Sequence, residues 1–250
     1  MVTITEYDAI AQSYQRNRKS VLCLASVCTY LNLLGDITDQ SILELGCGEG
    51  FFTRPLKQKG AGKVVGVDIS EAMIVLAKSQ EVNNPLGIDY IGKDVLKLDK
   101  IGEFDLVAAT FLLNHAQTRE QLLAMCHSIF ANLKKGGRFL ALNHNLELSP
   151  PDYWRLEKYG RRQHIVEPKQ EGSAITVTLF DVENAQESCS FVDFYLSKAS
   201  YEWAFEQAGF KHLRWHQPSV PEQALHEFGQ DFWQDFLHYP TLVGIECLKE

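Results

Sequence analysis

Apolar and polar positions alternate between two rhythms along the chain. Ser41-Ile42-Leu43-Glu44-Leu45, Lys63 to Val67, Asp89-Tyr90-Ile91, Phe104 to Thr110 and Arg138 to Asn143 are short, mostly apolar runs of strand length. Between them lie segments with helical character: Phe51 to Lys59, ended by Gly60 and Gly62; about Ser70 to Ser79; and Thr118 to Leu133. Residues 1–35 read as helical, and Asp36-Ile37-Thr38-Asp39 breaks them from the first strand. Strand and helix alternate five times. Runs such as Leu-Val-Ala-Ala imply burial on both faces, hence a parallel sheet wound with helices on both sides by right-handed crossovers.

Beyond residue 145 the rhythm changes. Ser173 to Leu179 and Ser188 to Tyr195 alternate with period two around a turn-like Asp181-Val182-Glu183-Asn184, which predicts an antiparallel hairpin. Ser200 to Gln207 reads as a helix stopped at Ala208-Gly209. Lys211 to His216 and Leu242 to Leu248 read as two last strands that pair back onto the main sheet. The expected architecture is a Rossmann-like, doubly wound, seven-stranded and mostly parallel α/β sheet, with the hairpin inserted as a substrate lid. One domain is expected over 1–250, divided into N-terminal lid helices (1–35), a core (41–145), the lid insertion (146–200) and C-terminal strands (201–250).

Composition narrows the partners. At 250 residues with 45% apolar and 22% charged positions, the chain has ordinary globular make-up. Its formal net charge of -8 disfavours a phosphate backbone as substrate, so no nucleic acid is expected. No apolar run reaches the ~18 residues of a membrane span, and Met1 to Arg18 has no secretory-signal pattern. Six cysteines without C-x-x-C spacing read as reduced thiols of a cytoplasmic protein, and no close Cys/His pairs recur, so no metal is expected. A monomer or homodimer is expected.

The candidate chemistry sits in Leu43-Glu44-Leu45-Gly46-Cys47-Gly48-Glu49-Gly50, between the first strand and its helix. Glycines there let the backbone take positive φ and approach a ligand, in the crevice where open α/β sheets bind ligands. Asp68 ends the second strand 22 residues after Gly46, where a carboxylate accepts hydrogen bonds from ribose hydroxyls. The other reading of Asp68 is a plain helix cap with Ser70. A dinucleotide fingerprint wants a third glycine where Phe51 stands, and Glu44 and Glu49 would repel a pyrophosphate while tolerating a cationic ligand.

The stretch resembles the first motif of class I S-adenosylmethionine-dependent methyltransferases, and further pieces fit in order over roughly residues 7–145. Val67-Asp68-Ile69-Ser70 with Met73 resembles the acidic second motif, which implies Asp68 on the ribose and Ile69 and Met73 on adenine. Gly92-Lys93-Asp94-Val95 resembles the segment whose Asp contacts the adenine amino group and whose Val packs on the ring. Phe104 to Val107 and Phe111-Leu112-Leu113-Asn114-His115 resemble the fourth-strand motif at the methionine end. Tyr7-Asp8-x-Ile10-Ala11-x-x-Tyr14 resembles the N-terminal helix that lids the cofactor. Leu133-Lys134-Lys135-Gly136-Gly137 resembles the turn that usually has Pro where Lys135 stands. The 175–180 and 191–195 pair, with Tyr201 and Phe210, resembles the lid of toxoflavin-type azaheterocycle methyltransferases.

By this resemblance the cofactor is S-adenosyl-L-methionine, the product S-adenosyl-L-homocysteine, and the cofactor residues are Tyr14, Glu44, Gly46, Cys47, Gly48, Asp68, Ile69, Met73, Asp94, Val95 and Phe111. Asp94 also reads as a turn residue and Phe111 as core. His115 is the candidate catalytic base, since an imidazole titrates near neutrality; the other reading is a structural pair with Asn114. His144 has a similar claim at the end of the fifth strand. Tyr153, Trp154, Tyr195 and Trp233 are candidates for an aromatic substrate cage, partly shared with ordinary packing. Asp231 to Phe236 fits an amphipathic helix, and Arg161-Arg162 reads as a solvated pair. The expected activity is in-line methyl transfer to an N-, O- or C-nucleophile of a small molecule, heterocycles included. The competing readings are a protein or RNA methyltransferase, a nicotinamide-linked oxidoreductase and a donor-binding protein without turnover. No Asn/Asp-Pro-Pro-Tyr/Phe motif follows the fourth strand.

Overall fold

A computed structural model describes residues 7–16, 20–180 and 186–250. Two helices, α1 (Tyr7–Arg16) and α2 (Val21–Leu34), precede the alternating core: β1 (Ser41–Leu45), α3 (Thr53–Gln58), β2 (Lys63–Asp68), α4 (Glu71–Asn83), β3 (Ile88–Gly92), β4 (Phe104–Thr110), α5 (Arg119–Asn132) and β5 (Leu133–His144). The later part comprises β6 (Arg161–Ile165), β7 (Ala174–Phe180), β8 (Glu187–Phe194), α6 (Lys198–Ala208), β9 (Lys211–His216), α7 (Glu222–Phe228), α8 (Gln230–His238) and β10 (Leu242–Leu248).

The main sheet has seven strands in the order β3-β2-β1-β4-β5-β10-β9. β1, β2, β3, β4 and β5 pair in parallel, and β10 is antiparallel to both its neighbours, so the last two strands do return to the main sheet. Alternate residues of each strand enter opposite cores. Leu43, Val65, Val107 and Phe139 pack towards α5 and α6, while Ile42, Val64, Leu106 and Leu140 pack with residues of α2, α4 and α8. This two-sided burial is why the strands read as unbroken apolar runs.

Local signals set the boundaries. Ser70 caps α4 by accepting from Met73 N, and Thr118 caps α5 by accepting from Gln121 N. β5 extends further back than the expected Arg138 to Asn143, because the chain turns within the strand at Gly136, with φ 77°.

The expected hairpin, β7 and β8, supplies two strands of a three-stranded antiparallel sheet, β6-β7-β8. Its extra strand, β6, reads Arg-Arg-Gln-His-Ile and has no apolar alternation to announce it. The turn-like 181–184 lies outside the described residues, as do 1–6 and 17–19 of the expected N-terminal helices. This small sheet has its own core of Leu148, Tyr153, Leu156, Ile165, Ile175, Val177 and Phe191, onto which Tyr7, Ile10 and Tyr14 of α1 pack. α1 is in turn tied to the core: Asp8 Oδ1 accepts from Ser70 Oγ at 2.5 Å and from Ala72 N at 3.1 Å, placing a carboxylate at the N-terminus of α4. α1, the small sheet and the main sheet therefore meet over the carboxyl ends of the parallel strands. No helix among the described residues is long and apolar enough to cross a membrane.

Candidate functional site

The loop after β1 folds over the end of β2. Gly46 N and Cys47 N both donate to Val67 O, at 2.8 and 3.0 Å, and Gly46 and Gly48 take φ 70° and 54°. Those positive angles are where glycine is free and other residues are strained. Gly48 N then donates to Asp68 Oδ2 at 2.8 Å, and Ser70 N donates to Oδ1 at 2.9 Å. Asp68 thus braces the turn into α4, one of its two expected roles, and also fastens the glycine loop, which the sequence did not foretell. Burial raises its carboxyl above the ordinary range, against the pull of those two N–H donors.

Together these groups wall a cavity of about 300 Å³. Gly46, Cys47, Gly48 and Asp68 form one side. Ile69, Met73, Asp94 and Val95 form a mostly apolar slot, and Tyr14, Phe111 and His115 close the other end. Asp94 also accepts from Leu96 N at 2.9 Å, so its turn role and its place in the wall coexist. Glu44 is the exception among the expected cofactor residues. It is fully buried outside this wall and accepts from Thr110 Oγ1 at 3.3 Å, with Thr110 itself in the wall. Two carboxylates and a slot for a flat ring suit a nucleoside with a cationic tail. The wall's lysine, Lys93, pairs with Asp99 at 3.2 Å, so the site is poorly equipped for a pyrophosphate.

A second cavity of about 70 Å³ shares Tyr7, Tyr14, Phe52 and Phe111 with the first. Phe111 holds φ 58°, an uncommon backbone state for a side chain of that size, while its N donates to Leu142 O at 2.8 Å. Behind the cavity's lining residues Asn114 and His144 lies Asp193 of β8, fully buried. Asn114 Nδ2 donates to Asp193 Oδ1 at 2.7 Å, His115 Nδ1 stands 3.3 Å from the same oxygen, and His144 Nδ1 stands 3.0 Å from Oδ2. Arg161 Nη2 donates to His144 Nε2 at 3.0 Å. Because an arginine can only donate, Nε2 of His144 accepts and its proton sits on Nδ1, facing Asp193. Burial alone would raise the Asp193 carboxyl; facing His144, His115 and Arg161, it is held below its usual value. His115 Nε2 meets the Tyr7 hydroxyl at 3.3 Å. Burial first, and the Asp193 charge after it, push Tyr7 up, so it stays a protonated donor.

Asp193 was not singled out by the sequence; its one signal is an acidic residue on the apolar face of the Phe191–Tyr195 alternation. Arg161 corrects an expectation. Far from solvated, it is only 7% exposed, because β6 turns it inward while Arg162 faces Glu157 at the surface. The four candidate cage aromatics do not come together. Trp233 is buried in the core, stacked on Tyr159 at 5.6 Å, and Trp154 is exposed. Tyr153 and Tyr195 line a separate small pocket of about 20 Å³ beside His144. Among the described residues no group of three or more His, Cys, Asp or Glu is arranged to hold a metal ion.

Burial, with the Arg161 charge beside it, pushes His144 below the ordinary histidine value. The unfolded chain therefore takes up a proton near pH ~6.5 that the folded chain refuses. The His144 contribution to stability is complete above that pH and is lost as pH falls below it, by up to about 1.4 kcal/mol per pH unit. Thermal unfolding between pH 7 and 5 should show a flatter pH dependence in His144→Gln than in the unaltered protein. Identical slopes would contradict the buried neutral imidazole.

Residues 42–137 match a family model described as a methyltransferase domain. The chain is 31% identical over 140 residues to a ubiquinone biosynthesis O-methyltransferase of Bradyrhizobium sp. strain ORS 278, an overlap covering 55% of this chain and 49% of that protein. It spans about half the length of the O-methyltransferases it matches. Its fold resembles the CcbJ methyltransferase from Streptomyces caelestis, with TM-score 0.66 and 18% identity over 98% of this chain and 97% of that one. It also resembles the magnesium protoporphyrin IX methyltransferase of Synechocystis PCC 6803 with bound S-adenosylhomocysteine, with TM-score 0.57 and 18% identity over 96% and 93% of the two chains. A methyltransferase-domain model thus matches the chain over 42–137, and its fold is like that of S-adenosylmethionine-dependent methyltransferases over most of its length.

Proposed function

We propose that this protein transfers the methyl group of S-adenosylmethionine to a hydroxyl of a small-molecule acceptor, and that residues 146–200 are its substrate lid. The observation that carries this reading is the juxtaposition of two cavities. One, of about 300 Å³, is braced by the glycine loop and Asp68; the other, of about 70 Å³, is aromatic-walled; they share Tyr7, Tyr14 and Phe111. A second cavity of that size, closed over by α1 and β8, fits a small acceptor better than a polymer strand. The O-methyltransferase names of the sequence relatives agree with a hydroxyl acceptor.

Asp68 would hold the ribose, Ile69, Met73 and Val95 the adenine, and Asp94 its amino group, while Gly46, Cys47 and Gly48 admit the donor closely. Tyr14 and Phe111 stand between donor and acceptor. Glu44, behind Thr110, would act by its negative charge and by fixing that strand end. When bound, S-adenosylmethionine supplies a methyl group already activated on a sulfonium. The protein's contribution is then alignment and removal of one proton. Asp193 orients His115 through Nδ1, which leaves Nε2 in the cavity to take the proton of the acceptor hydroxyl, directly or across Tyr7 Oη. With the donor bound, this alignment would let its methyl pass to the acceptor oxygen, with S-adenosylhomocysteine as the leaving group. Excluding water around the sulfonium aids the step, because charge disperses as the cation meets its nucleophile.

Two measurements test the reading. Titration calorimetry with S-adenosylhomocysteine should show binding that Asp68→Ala weakens by about tenfold or more, the scale of hydrogen bonds to a charged group; equal affinities would remove Asp68 from the ribose. With an accepted hydroxyl substrate, His115→Gln should lower kcat by about a hundredfold and leave donor affinity within a few-fold. An undiminished kcat would rule His115 out as the base.

A further inference from the structure

We infer that Arg161 is the acceptor-anchoring residue of the second cavity, and that the acceptor is a flat hydroxy acid whose carboxylate docks on it. The inference rests on the methyl-transfer reading above and names a substrate class for it. Arg161 begins β6 and is 7% exposed, and it lines the 70 Å³ cavity. A buried guanidinium is tolerated only when its charge and donors are met. Among the described residues its one hydrogen bond is from Nη2 to His144 Nε2, and Nε has no partner.

Asp193 does not fill that gap. The imidazole of His144 stands between the two charges, and the carboxylate oxygens are already faced by Asn114, His115 and His144. The cavity therefore contains a cation with donors to spare. A planar fork of N–H groups matches a carboxylate in both shape and charge. A phosphate fits less well, because its second negative charge would add to the repulsion from the buried Asp193. The other walls carry rings, Tyr14, Phe111 and Phe191, beside aliphatic Leu22, Leu179 and Leu242, a lining that suits a flat apolar body between the two polar ends.

The geometry also sets a direction. Arg161 and His115 are the two ends of one relay, His115–Asp193–His144–Arg161, with contacts of 3.3, 3.0 and 3.0 Å. An acid anchored at Arg161 would extend along the shared aromatic wall towards His115 and the donor cavity. Its hydroxyl would then arrive at the base.

The test uses pairs of probes that differ in charge alone: 2-, 3- and 4-hydroxybenzoate against the matching hydroxybenzamides, titrated in saturating S-adenosylhomocysteine. At least one acid should bind about tenfold or more tighter than its amide, the scale of one charge-assisted pair. Arg161→Gln should abolish the preference, and Arg161→Lys, which keeps the charge without the fork, should retain part of it. The S-adenosylhomocysteine affinity and the thermal midpoint of each variant report on folding. If Arg161→Gln fails to fold, the acid–amide comparison in the unaltered protein and in Arg161→Lys decides. Equal binding of acid and amide, binding of neither, or a preference that survives in Arg161→Gln overturns the proposal. Failure of S-adenosylhomocysteine itself to bind would instead overturn the methyl-transfer reading.

Discussion

A carboxylate with no access to water, Asp193, is the constraint around which the rest of the site is arranged. A buried anion of this kind is costly unless cations or strong donors face it. Here the partners come from separate stretches of chain: Asn114 and His115 after β4, and His144 at the end of β5 with Arg161 of β6 behind it. β4 and β5 belong to the main sheet, whereas β6 and β8 belong to the small sheet. The small sheet is thus fastened to the main sheet by polar contacts beside the two cavities. Any displacement of the lid sheet would leave a buried charge unmatched, which gives the site a single preferred arrangement.

The donor side is organised on the same logic with different parts. Asp68 is held by Gly48 N and Ser70 N, so the glycine loop and the start of α4 are locked to one carboxylate. Asp8 ties α1 to that helix start, and Tyr7 of the same helix reaches His115. One short helix therefore touches the larger cavity, the smaller cavity and the His115 imidazole. Local contacts at Asp68 and remote contacts at Asp193 share the task of bringing the two cavities against a common wall.

The main sheet and donor cavity were legible because their determinants are local in sequence. Glycines at 46 and 48, an acid at 68 and strands buried on both faces each leave a pattern within a few residues. Ten of the eleven expected cofactor residues line one cavity, and Glu44 alone lies outside its wall. The acceptor side was less legible because its determinants are not local. β6 is a polar pentapeptide whose inward arginine reads as surface until the partner strand is in place, and Asp193 lies 79 residues from Asn114. The aromatic cage failed for a related reason. Ring content says that a residue will be covered, not by what, and Trp233 is covered by Tyr159 and Phe236 rather than by a ligand.

The claim that Asp193 organises the site is tested most directly by nitrogen-15 NMR of the histidine side chains at neutral pH. The account predicts that His144 is neutral, with its proton on Nδ1 and its Nε2 accepting from Arg161. A doubly protonated His144, or one that carries its single proton on Nε2, would contradict it.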